Sequence, residues 1–164
     1  MRTIAILALF VFFYSTHAYV AKLDEYQASL QTWKSIQPKT YTYRHQTEYF
    51  LPTESSRNYT DVTVTDGKVV KHTYTITDGF DNVLSSWVEE TPEEIGSHDQ
   101  GFKALTLDQL YSQCRENALV YDDVVFTITF QTDANGVMTE CDSRSFLWSH
   151  SSIMGFTLNY VELE

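Results

Sequence analysis

The chain has 164 residues, 43% hydrophobic and 15% aromatic, with a formal charge of −11 at pH 7 and two cysteines. Aromatic and β-branched residues are what packed sheets consume, so the composition excludes a disordered chain. The acidic excess excludes an electrostatic match to nucleic acid or an anionic membrane, and favours calcium, a mineral surface or a basic extracellular protein as partner.

Residues 1–18 read as a secretory signal peptide. Met1-Arg2 gives a positive start, Ile4 to Phe13 is unbroken apolar sequence, and Ser15-Thr16-His17-Ala18 is a small-residue exit. The apolar run is too short to cross a bilayer, and nothing after Tyr19 offers the roughly 18 consecutive apolar residues a membrane helix needs. Removal of Arg2 makes residues 19–164 one unit more acidic, and their length predicts a single secreted domain. In that oxidising, extracellular space Cys114 and Cys141 are expected to form a disulfide. With no neighbouring His pair they lack the spacing of a zinc site.

Leu23, Tyr26, Leu30 and Trp33 recur at intervals of three and four, which predicts an amphipathic helix over 22–35 that Pro38 closes. Thr40 to Phe50 alternates as a strand, with Tyr41, Tyr43, His45, Thr47 and Tyr49 on one face. A polar stretch follows, carrying the sequon Asn58-Tyr59-Thr60, a candidate N-glycosylation site that would make this a glycoprotein. Tyr59 to Thr65 and Lys68 to Thr77 form two β-branched runs joined at Asp66-Gly67, a strong hairpin signal. Residues 78–105 are an acidic excursion without regular structure, and no Lys or Arg occurs between His72 and Phe102.

Thr106-Leu107-Asp108-Gln109 is a capping box opening a helix whose buried stripe is Leu107, Leu110, Tyr111, Cys114 and Ala118. Asp123 to Gln131, Val137 to Leu147 and Ile153 to Leu163 read as strands, the first two joined at Asn135-Gly136. The expected fold is α+β: a largely antiparallel sheet of about six strands with two helices on one face, in the order α-β-β-β-α-β-β-β.

Tyr41-Thr42-Tyr43, the run Val62 to Val70, Thr106 to Tyr111 and the strand Val125 to Phe130, with Trp33 ahead of them, resemble a family of small exported domains of unknown function. That family is mostly known from bacterial secreted proteins and lipoproteins. It shares a Tyr-x-Tyr strand, a Val-x-Val-x-Asp-Gly-Lys-Val hairpin and a Thr-Leu-Asp-x-Leu-Tyr helix start in this order, over about two-thirds of residues 19–164. The chain departs from the pattern in its acidic excursion and in having Asp133-Ala134-Asn135-Gly136 where the family has a Gly-Tyr-Pro turn. The resemblance implies an exported domain and carries no activity.

Four groups of residues carry candidate chemistry. His45 and His72, with Glu48 or Asp61, would make a metal or acid–base cluster, against two histidines satisfied inside a sheet. Ser149-His150-Ser151-Ser152 places hydroxyls beside an imidazole, without the elbow a hydrolase needs. Gln131 to Asp142 imitates a calcium loop, but its strand-like flanks favour a hairpin turn. Glu89, Glu90, Glu93 and Glu94, clustered around Pro92 after Trp87, are candidate ligands for weakly held calcium, against a solvated charge run. The leading functional expectation is a secreted, acidic, non-catalytic protein, an extracellular or mineral-associated matrix component with weak Ca2+ affinity and no other cofactor. The alternatives are an extracellular binding module, whose aromatic sheet face cups an apolar ligand or a protein partner beneath the excursion, and a secreted hydrolase using His45 or His150.

Overall fold

The computed structural model describes residues 21–50, 55–121, 125–145 and 153–164. The expected leader and the Ser149-His150 pair lie outside these residues. In chain order the elements are α1 over 21–36, β1 (Thr40–Phe50), β2 (Ser55–Thr65), β3 (Lys68–Asp78), β4 (Val83–Glu89), α2 (Leu107–Gln113) running into a π-helical turn (Cys114–Ala118), β5 (Phe126–Thr132), β6 (Met138–Ser145) and β7 (Ile153–Leu163). The strands are hydrogen-bonded in the order β4-β3-β2-β1-β7-β6-β5.

The fold is α+β and its sheet mostly antiparallel, but it has seven strands instead of about six. The additional strand, β4, lies inside the acidic excursion. Residues 79–82 form a four-residue connection, over which the Asp78 carboxylate accepts from the Phe80 and Asn82 amides at 2.8 and 2.9 Å. Asp81 adopts a positive φ of 64°. The helix-plus-three-strands unit expected at the start therefore has a fourth strand.

Backbone packing divides the chain into two compact units, one of Met1–Ser35 with Tyr111–Phe156, the other of Ile36–Leu110 with Thr157–Glu164. In the first, Tyr26 of α1 meets the Phe130 ring edge-on at 6.0 Å, and the Tyr111 ring at 5.9 Å. The Ser29 hydroxyl donates to the Gly136 carbonyl at 2.8 Å. Its one proton being committed there, the Tyr111 hydroxyl at 2.7 Å is the donor to Ser29, and it accepts from the Met138 amide at 3.0 Å. These bonds hold α1, α2 and the β5–β6 turn around one buried phenol. Cys114 and Cys141 form the expected disulfide, their Cα atoms 5.6 Å apart, joining the π turn to β6.

In the second unit, Tyr41, Tyr43, Val62, Val64, Tyr74 and Leu158 make a buried sheet face. The segment leading into α2 covers it. The Tyr43 hydroxyl donates to the Leu105 carbonyl at 2.7 Å, and the Tyr41 oxygen accepts from the Leu107 amide at 2.9 Å. Burial pushes the Tyr41 phenol up to about 12. The capping box forms as read: Thr106 N donates to the Gln109 amide oxygen at 2.8 Å, and Gln109 N to the Thr106 hydroxyl at 3.3 Å. Asp66 and Gly67 both take positive φ, 49° and 72°, the conformation a two-residue hairpin turn demands.

Candidate functional site

The β3–β4 register sets His72 opposite Glu89. Both side chains point to the buried face, Glu89 being 0% and His72 2% exposed. One Glu89 oxygen accepts from His72 Nδ1 at 2.8 Å and from the Gly96 amide at 2.6 Å. The other accepts from the His98 amide at 2.9 Å, from His98 Nδ1 at 2.8 Å and from the Ser97 hydroxyl at 3.1 Å. Gly96 presents its amide to the carboxylate from a positive φ of 83°, which a side chain there would strain. Burial alone would push the Glu89 carboxyl toward its neutral form. The Gly96 amide, the two imidazoles and the His98 amide outweigh it and hold the group well below the usual carboxylate range.

His72 Nε2 lies 2.9 Å from the Phe102 carbonyl oxygen. Its two ring nitrogens thus face a carboxylate and a carbonyl, both of which are hydrogen-bond acceptors. His98 differs. Its Nδ1 donates to Glu89, and the ring lies flat on Trp87 at 4.4 Å with 9° between planes. Trp87 also meets the edge of His72 at 4.8 Å. The backbone of Phe102 completes the clasp: its amide donates to Thr60 at 3.0 Å, and its ring lies 4.4 Å from that of His45, tilted by 30°. Residues 96–102 are thereby clamped onto the sheet. A Cβ on Gly101 would stand 2.9 Å from Thr60 and Tyr74, so the space expected to cup an apolar ligand beneath the excursion is filled there by the chain itself.

Three of the four glutamates read as a cation cluster have separate partners. Glu89 is the buried hub, Glu90 is paired with Lys71 at 2.6 Å, and Glu94 accepts from the Glu90 and Thr91 amides at 3.3 and 3.2 Å. Glu93 is exposed. Among the described residues no group of three or more His, Cys, Asp or Glu is arranged to hold a metal. His45 and His72 share a sheet face, as their spacing indicates, but neither takes Glu48 or Asp61. His45 Nδ1 meets the Thr157 carbonyl at 2.8 Å, and burial, opposed by that bond, shifts its imidazole down. Asp61 is held by the Arg44 guanidinium through two bonds of 2.7 and 2.8 Å, while Glu48 lies 3.5 Å from Arg57. Asn58 lies within β2 and is half-buried, not in a connecting loop.

The calcium-like loop is a hairpin turn. Asp133 accepts from the Asn135 and Val137 amides at 2.9 and 2.8 Å. Asp142, its last residue, is 1% exposed on β6, and neither carboxylate oxygen has a hydrogen-bond donor. Arg144 stands 3.6 Å away and is itself half-exposed. Burial and the neighbouring Asp142 together raise the Glu140 carboxyl above its ordinary value. Replacing Asp142 with Asn puts an NH2 donor beside Glu140 in place of a buried oxygen that has no hydrogen-bond donor, and is expected to raise stability by about 1 kcal/mol at pH 7. Urea unfolding measures this, and NMR titration of Glu140 is expected to move toward the ordinary carboxylate range.

The excursion also carries four exposed apolar residues, among them the three most exposed of the described ones. Phe80 at the hairpin tip is 90% exposed, and Val83, Leu84 and Val88 on β4 are 61%, 62% and 52% exposed. Among the described residues β4 has one strand neighbour, β3, and so forms a sheet edge. A cleft of about 530 Å³ opens in the first unit between Ala28, Ser29 and Thr32 of α1 and Phe130 of β5.

Sequence reasoning missed His98 and the clasp. The available signal was Val83 to Glu89 as a strand, since placing β4 beside β3 brings Glu89 to His72. No known family model, curated protein or solved structure matches this chain. The likeness to small exported domains therefore stands on its shared motifs alone.

Proposed function

We propose that this protein is an exported, acidic, non-catalytic binding module, that its partner is a protein, and that its working surface is the β3–β4 hairpin. The observation that carries the reading is the exposure of Phe80, Val83, Leu84 and Val88 along one hairpin whose base is pinned by the buried Glu89. A soluble chain presenting a large aromatic and two or three aliphatics together forgoes about 1.5–3 kcal/mol for each side chain it leaves in water. Rigid aromatic anchors are also where binding energy concentrates in protein interfaces. The Cys114–Cys141 bridge supports export, because such bonds persist in oxidising spaces. The calcium reading has less support, since Glu89, Glu90 and Glu94 already have donors or a lysine.

A photo-crosslinking residue placed at Phe80 tests this in the protein's native secretion. We expect it to capture one dominant protein, and the additional change Leu84→Ser to abolish the capture without changing the unfolding midpoint. Crosslinking no more frequent than from the exposed control position Gln27 would remove the reading.

A further inference from the structure

We infer that the outer edge of β4 takes up one extended segment of the partner, strand against strand, and that this segment has an apolar, uncharged centre with Lys or Arg at both ends. The inference rests on the hairpin being the working surface.

Natural sheets protect their edges with charged residues, proline or bulges, because an open row of backbone N–H and C=O groups pairs with any suitable strand. From Val83 to Val88 the sequence is Val-Leu-Ser-Ser-Trp-Val, without charge or proline. Val83, Leu84, Ser85 and Ser86 are all exposed, so among the described residues none lies over that stretch on either face. The edge is also rigid. Its start is set by the Asp78 turn, where the Asp78 amide donates to the Asn82 carbonyl at 3.0 Å, and its end by the five donors on Glu89. A preordered template of seven residues, about 23 Å long at strand rise, loses little conformational freedom on binding.

Charge selects the occupant. Asp78 and Asp81 stand before β4, and Glu90, Glu93, Glu94 and Asp99 after it, with no Lys or Arg between His72 and Phe102. Arg57 neutralises Asp81 at 2.6 Å and Lys71 neutralises Glu90 at 2.6 Å, which leaves carboxylates at both ends. A second copy pairing through β4 would set acidic ends against acidic ends in either strand direction. A segment with basic ends and an apolar centre instead meets opposite charge at each end and the exposed Leu84 and Val88 side chains between.

Calorimetry on the disulfide-bonded chain with the peptide K-K-V-T-V-T-V-K-K tests the inference. We expect saturable binding that weakens with salt, and slowed amide exchange confined to residues 83–88. Replacing the basic ends with Glu, methylating alternate peptide nitrogens, or guarding the edge with Ser86→Lys is each expected to weaken binding at least about tenfold. Equal binding of the N-methylated peptide, or no binding at all, overturns strand pairing. A concentration-dependent dimer that Ser86→Lys dissolves and the peptide leaves intact overturns it in favour of a second copy. Capture at position 80 judges the hairpin as working surface independently, so that reading survives or fails on its own.

Discussion

Replacing Glu89 with Gln is expected to lower unfolding stability by about 3–5 kcal/mol, the usual consequence of removing one partner from a buried ion pair. The cause is local and countable. Five donors converge on one fully buried carboxylate, and an amide turns one of those acceptors into an NH2 group facing other N–H groups. His72 Nδ1 is then left buried without its carboxylate partner, and both His98 and the Gly96 amide lose their anchor. Urea unfolding followed by tryptophan fluorescence reads the effect, since Trp87 stacks on His98 in the intact site. The exposed variant Glu93→Gln serves as control and is expected to stay within about 0.5 kcal/mol of the parent. The pH dependence follows with a definite sign. The folded carboxyl sits below its unfolded value of 4.5, so its contribution is fully present above that pH and is lost as pH falls toward the folded value. Stability of the parent chain should therefore fall below about pH 4.5 more steeply than that of Glu89→Gln. Equal slopes would mean that the carboxylate is not held in its ionised form.

The same site shows which features a sequence reveals. The Asp66-Gly67 turn, the Thr106–Gln109 capping box and the inward-facing pair Tyr41 and Tyr43 of β1 are each decided by residues within a few positions of one another, and each forms as read, while the Tyr49 side chain lies outside the described residues. The Cys114–Cys141 bridge was legible because two cysteines allow one pairing. Strand β4 was not, because alternation becomes visible only when one face is buried, and Val83 through Ser86 are exposed on both. Missing β4 hid the clasp, whose members at positions 72, 89, 96, 98 and 102 meet only through the β3–β4 register and the fold-back of the excursion. Composition also misdirects here. Glutamates are among the residues least often buried, so a run of four reads as a solvated face, and nothing local distinguishes Glu89 from Glu93. His72 was legible as an inward-facing histidine, but the carboxylate that it meets was assigned to the surface.

The second large effect is expected from the disulfide. The double change Cys114→Ala and Cys141→Ala should lower stability by about 3 kcal/mol, since a bridge between residues 27 positions apart restricts the unfolded chain. Both cysteines are buried, at 1% and 0% exposure, so a small loss of packing adds to the entropic term. The expected readout is a lower urea midpoint in the variant, reproduced by reducing the parent chain with dithiothreitol and absent when the variant itself is treated. An unchanged midpoint would mean that packing around Tyr111, whose hydroxyl already ties Ser29 to Met138, holds the π turn to β6 without the bond. Combining the double change with Glu89→Gln sharpens the result. The bridge belongs to the first compact unit and the Glu89 clasp to the second, and the two sites share no hydrogen-bonding partner among the described residues. Separate lesions of this kind add to within about 0.5 kcal/mol. A single transition that carries both losses would show that the two units unfold as one cooperative body, whereas two resolved transitions, each shifted by its own lesion alone, would show that each unit carries its own stability.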